Sequence, residues 1–205
     1  MTQAEFDQIR LDALREILSI ATGNAATSLS TMIDKRVDIT VPNVMVEAIE
    51  NIPEVLEGRE KEATVVYFSV TGQISGSIFL SLSSSESMRL ANMLTGRKEP
   101  QTGCLDEMGQ SALKELGNIL SGSYIMVLSQ ELKLKTKYSV PGLVSDMLGA
   151  IFDEILARLF LEAENAVIME SEFIVRGEVY RGHLILILPL NAVNTIIKAL
   201  GNWEN

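Results

Sequence analysis

Polar and apolar positions follow a helical period over two long stretches of the chain. Leu113, Leu116, Leu120, Tyr124 and Val127 recur every three or four residues. At about 100° per residue they fall between roughly 140° and 220° on a helical projection, a face fit for a core. Ser111, Glu115, Asn118 and Gly122 fall at about 0°, 40°, 340° and 20°, a narrow polar strip on the opposite side. Earlier in the chain, Asp12, Glu16, Ser19 and Gly23 form a similar strip opposite Leu14, Ile17 and Ala21. The pattern predicts long helices at residues 4 to 33 and 105 to 133, each with its polar strip turned outward. A strand carrying a proline follows each helix, in "ITVPNV" and in "YSVPGL". A second helical segment comes next, weak near "IPEVLEG" and strong at "MLGAIFDEILARLFLEA". Two β-branched runs with a turn between them then read as paired strands, "ATVVYFSV" with "GSIFLSLS" and "AVIMESEFIV" with "GHLILILP". A short amphipathic helix closes each set.

This order of elements occurs twice because the chain repeats. Ala13, Leu14, Glu16, Ile20 and Gly23 return as Ala112, Leu113, Glu115, Ile119 and Gly122, and Pro42 returns as Pro141, all at an offset of 99. Further on, Gly76 matches Gly182 and Gly96 matches Gly201, so the second copy carries an insertion of about seven residues. The polar segment "GRKEPQTGCLDE" reads as the hinge. The expected architecture is α+β: one domain over 1–205, built of two repeats at about 1–98 and 105–205. Its long helices pack on a continuous antiparallel sheet with pseudo-two-fold symmetry.

Composition narrows the partners. The chain has 205 residues, 47% of them hydrophobic, enough for a sizeable core. Its net charge of −10 argues against nucleic acid or an anionic membrane surface as a partner. A single cysteine, Cys104, leaves no intrachain disulfide and fits a reducing compartment. The start of the chain lacks the features of a secretion signal, and no apolar run reaches the ~18 residues of a membrane span. A cytoplasmic protein without membrane insertion is expected.

Much chemistry is ruled out by the residue inventory. One histidine, His183, lies in an apolar strand and reads as a structural residue. With one cysteine beside it there is no zinc site, no Cys–His dyad and no Ser–His–Asp triad. "VTGQISG" lacks the lysine and the following helix of a phosphate-binding loop. No metal site and no cofactor of its own are expected. What remains is the pair of strips. A glycine within a helix costs roughly 1 kcal/mol against alanine, and Gly23 and Gly122 repeat that cost at equivalent outward positions. Close approach of another molecule would compensate; common descent of two copies would also account for it.

The pattern Ser/Asp-x3-Glu-x2-Asn-x22-Pro resembles the signature of the CheC/CheX/FliY family of chemotaxis phosphatases. Ser111, Glu115, Asn118 and Pro141 match it throughout. Asp12, Glu16 and Pro42 match in the first copy, where Ser19 stands in place of Asn. The resemblance covers essentially the whole chain, and the two-copy layout is similar to CheC rather than to the shorter CheX. It implies removal of the acyl phosphate from a phosphorylated CheY-type receiver, which brings its own Mg²⁺ and lysine. It assigns Asn118 to orienting the attacking water and Glu115 to a bond with the receiver's lysine, with Ser111 and Gly122 as partner contacts. The residue types suit this: an amide offers acceptor and donor together, and phosphoryl transfer is largely positioning and electrostatics. Ser19 cannot reproduce the amide, so the first site, Glu16 with Ser19, reads as degraded. Leu18, standing where the second copy has Gly117, is expected to add bulk beside the strip. Restoring "EIGN" would then need both Leu18→Gly and Ser19→Asn.

"SDMLGAIFDEIL", Ser145 to Leu156, resembles the helix by which this family binds the receptor deamidase CheD, and the resemblance makes Asp146 a contact. Asp146 could equally cap a helix beginning at Met147. A reading from another class also stands beside the enzyme: a non-enzymatic module binding the phosphorylated receiver or CheD.

Overall fold

The computed structural model describes residues 3–56, 58–97, 103–131, 133–159, 165–175 and 177–187. Helix α1 (Gln3–Ile33) leads into strand β1 (Val37–Ala48), a 3₁₀ turn (Ile49–Asn51) and the single-turn helix α2 (Ile52–Val55). The hairpin β2 (Glu62–Gly72) and β3 (Gly76–Ser83) and helix α3 (Ser84–Thr95) complete the first half. The second half runs through α4 (Glu107–Glu131), β4 (Thr136–Tyr138), β5 (Gly142–Met147), α5 (Leu148–Leu159), β6 (Asn165–Val175) and β7 (Glu178–Ile187). The closing helix predicted for the second half, and part of the hinge, lie outside the described residues. No helix among the described residues is long and apolar enough to cross a membrane.

Local chemistry sets the ends of these elements. Ser83 accepts the Glu86 N–H at 3.2 Å to open α3, and Gly96 closes it with a left-handed φ of 64°. Asp106 accepts the Gly109 N–H at 2.8 Å to open α4 and pairs with Arg97. That arginine, and then the amide, hold the Asp106 carboxyl below its ordinary range.

All strand pairs are antiparallel, in the order β1-β6-β7-β3-β2-β4, with β5 also on β2. The hairpins meet at β3 and β7, where Phe79 faces Ile185. The first strand of each half crosses to the other half's hairpin: β1 lies on β6, while β4 and β5 lie along β2. Neither half closes its own sheet. Exchanging equivalent strands gives the same order read from the opposite edge.

The prolines account for the one difference between these outer strands. A proline cannot donate to a ladder. In β1 the register shifts between Thr40 and Asn43, where Pro42 stands. Pro141 instead lies between β4 and β5, so the single strand expected there is two strands. Ser139 bridges the gap, its N–H donating to the Ser69 carbonyl at 2.9 Å and its Oγ accepting the Ser69 N–H at 3.1 Å.

Alternation in the central hairpins divides the core in two. Val66, Phe68, Leu80 and Leu184 pack beneath the layer of α1, α3 and α4. Val65, Phe79, Ile168 and Ile185 face the other way, against Ile52 of α2 and Ile151 and Phe152 of α5. The expected α+β fold with long helices on a continuous antiparallel sheet is therefore met. Between α1 and α4, Thr22 Oγ1 and Tyr124 Oη lie 2.6 Å apart and buried. Thr22 gives its one proton to the Leu18 carbonyl at 2.8 Å, so Tyr124 is the donor of this bond. Burial raises the Tyr124 pKa and keeps the phenol protonated for that role.

Candidate functional site

Helix α4 presents the second strip as its period demands. Leu113, Leu116 and Leu120 are buried, while Ser111 and Glu115 are exposed and Asn118 and Gly122 half-buried on the far side. Asn118 and Gly122 open onto a groove that Ser28 of α1, Met126 and Ser129 of α4, and Lys137 and Tyr138 of β4 complete. On α1, Glu16 and Ser19 are exposed, with Ile17 and Ala21 buried behind them. The side chain of Asp12 lies outside the described residues. The two strips thus belong to one helical layer on one face of the sheet.

Three expectations change with the geometry. Leu18 does not crowd the strip: it is 1% exposed and part of the core between helices and sheet. Its counterpart Gly117 is buried too, and a Cβ there would stand 2.8 Å from Val66 Cγ1 and 3.3 Å from Phe68. Glycine is used at 117 because α4 presses on β2, a matter of packing rather than access to the strip. Gly122 and Gly23 also differ in kind. A Cβ at Gly122 would lie 2.8 Å from the Tyr138 hydroxyl, whereas nothing stands within 4 Å of one at Gly23. The close approach expected from another molecule is, at Gly122, made by this chain's own tyrosine.

The third concerns Asp146. Ser145, Asp146 and Met147 are in strand β5, paired with Thr64, Ala63 and Glu62, and the helix begins only at Leu148. Asp146 is exposed and accepts the Met147 N–H at 2.7 Å, but it caps no helix from there. The first amides of α5 are satisfied elsewhere: Leu148 N–H donates to the Lys61 carbonyl at 2.8 Å and Gly149 N–H to the Arg59 carbonyl at 2.9 Å. His183 sits in β7 between Ser81 of β3 and Glu170 of β6.

The glycines permit a direct check. Gly23→Ala adds a methyl group in open space and restores helix propensity, so it is expected to stabilise the protein by about 1 kcal/mol. Gly117→Ala drives a methyl group into Val66 and is expected to destabilise by about 1–3 kcal/mol. Denaturant titration of the two variants should give opposite signs; equal shifts would contradict the packing asymmetry.

Fold and strip together define a class: α+β proteins with one antiparallel sheet that carry a polar signature on an outward helix. The structure of Thermotoga maritima FliY superposes with a TM-score of 0.74, at 26% identity and 98% coverage of both chains. The model of the CheC-like family matches residues 9–46 and 108–145, the two helices with their strips and the strands that follow. The family match is to these two stretches, while the similarity to individual relatives runs the length of the chain. The CheY-P phosphatase CheC of Bacillus subtilis (strain 168) is 26% identical over 196 residues, 94% of each chain. The flagellar motor switch phosphatase FliY of the same organism is 25% identical over 98% of this chain, which spans 52% of that longer relative.

Proposed function

We propose that this protein is a phosphatase in chemotaxis signalling that hydrolyses the aspartyl phosphate of a CheY-type receiver. Glu115 and Asn118 of α4 are its working side chains. The observation that carries this reading is their joint presentation. They stand three residues apart on the outward side of a helix whose inward leucines are fully packed, so both polar groups are held on a rigid rod. The end-to-end similarity to a protein named CheY-P phosphatase supports the same reading.

An acyl phosphate needs little covalent help, and the receiver supplies Mg²⁺ and a lysine around it. With the receiver seated on α4, Glu115 pairs with that lysine and fixes the dock. The Asn118 carbonyl accepts a hydrogen bond from one water while its NH₂ donates, holding the water in line with phosphorus. The water oxygen bonds to phosphorus, the phosphorus–aspartyl oxygen bond breaks to leave the carboxylate, and the water's protons go to the departing inorganic phosphate and solvent. The test is phosphate release from a phosphorylated CheY-type receiver with and without the protein. Acceleration supports the reading; binding without acceleration would replace it with a non-catalytic receiver-binding module.

The exposed position of Asp146 at the end of β5, beside the start of α5, makes it available to a partner on the sheet face opposite the strips. CheD is the partner we assign to that face. Asp146→Lys is expected to weaken CheD binding about tenfold or more without changing basal phosphate release. An unchanged affinity on titration with CheD would remove Asp146 from the contact.

A further inference from the structure

Tyr138 stands out beside the strip. It belongs to β4, where it pairs with Val70 at the edge of the sheet. Its ring meets buried Phe68 edge-on, with centroids 6.0 Å apart and planes at 71°. Its hydroxyl points onto α4 at Gly122, the one spot on that turn where no side chain intervenes. Gly122 lies one turn beyond Asn118, a rise of about 6 Å, and all three residues border one groove. The side chain is 38% exposed, and its hydroxyl has no hydrogen-bond partner among the described residues. A phenol held rigidly, aimed at the strip and left unpartnered is a donor in waiting.

The first half of the chain lacks it. The residue at the offset of 99 is Ile39, half-buried against the helix-side core, and the space over Gly23 is open. The polar strip with the intact amide is thus also the strip with the tyrosine. We infer that the Tyr138 hydroxyl is a docking contact for the phosphorylated receiver, donating to a carbonyl or carboxylate beside the acyl phosphate and setting the affinity of the α4 site. The inference rests on the phosphatase reading above and adds a specificity-determining residue to it. Gly122 then has a definite purpose: any side chain there would push the hydroxyl off the strip.

The experiment is steady-state phosphate release using a CheY-type receiver phosphorylated with acetyl phosphate, with thermal unfolding alongside. Tyr138→Phe keeps the ring on Phe68 and removes only the hydroxyl. It is expected to raise KM about threefold to tenfold, the range for one neutral hydrogen bond, with kcat within about twofold and Tm unchanged. Gly122→Ala, which retains the hydroxyl but displaces it, is expected to raise KM as well. A Tyr138→Phe protein with wild-type KM overturns the inference. A fall in kcat at constant KM overturns it too, since the hydroxyl would then act on the reacting atoms. If the wild-type protein binds the phosphorylated receiver without hydrolysing it, the phosphatase reading fails, and the Kd of wild type against Tyr138→Phe decides the contact. Absence of binding by the wild type overturns both.

Discussion

Asn118→Ala is expected to slow phosphate release from the phosphorylated receiver by about 10²-fold or more while leaving the protein folded. The rate follows from the role: loss of one preorganised polar group at a reacting centre typically costs 10²–10³-fold. The intact fold follows from the position. Asn118 is only half-buried, on the side of α4 away from Leu116 and Leu120, and alanine is the better helix former. Asn118→Asp is a sharper probe, since it keeps the shape but brings a negative charge towards a phosphoryl group and removes the donor. Both variants should unfold at or near the wild-type temperature. A folded Asn118→Ala protein with full activity would end the water-positioning role and leave Glu115 as a docking residue only.

Features governed by one element's own periodicity were legible in the sequence. The core faces of α1 and α4, both hairpins and the outward strips follow from the 3.6- and 2-residue periods, which each segment expresses without reference to the rest. The glycines were not. A helical projection tells how far Gly117 lies around the helix from Asn118, but not how near β2 lies to it. That distance is a property of the assembled layers. The helical pattern leaves Gly122 open to another molecule, because its occupant, Tyr138, reaches it from a separate strand. The same limit hid β5: "SDM" runs into an apolar helix pattern, and only pairing with β2 makes it strand.

Positions paired by the offset of 99 make different contacts, a difference that becomes readable only with the helices docked. Thr22 and Ser121 are equivalent at the offset of 99, and both are buried. Thr22 bonds to Tyr124, but the residue equivalent to Tyr124 is Ala25, and the Ser121 hydroxyl has no partner among the described residues. The two halves do not share one set of contacts, either across the helix interface or on their strips.

Ser19→Asn, introduced into the Asn118→Ala protein, is expected to restore turnover at the first strip. Glu16 and Ser19 keep the spacing of Glu115 and Asn118, both are exposed, and Ile17 and Ala21 anchor the helix behind them. Asparagine and serine have similar helix propensities, so α1 should accept the change. Leu18 must stay. Leu18→Gly would strip a fully packed side chain from the core and place glycine within a helix, a loss of about 3 kcal/mol or more. The repair therefore takes one substitution, not the two that the motif alone would ask for. Because Asn118→Ala leaves only about a hundredth of the activity at α4, any gain above that remainder is read directly as turnover at the first strip; in the wild-type background two independent sites would add to at most about twofold. The restored site is expected to show a higher KM than the α4 site, since Ile39 stands where Tyr138 would be. Recovery with a raised KM would tie the amide to turnover and the tyrosine to docking. A folded Ser19→Asn, Asn118→Ala protein with no recovery would mean that the first strip has lost more than its amide, and that α1 serves as scaffold or docking surface alone.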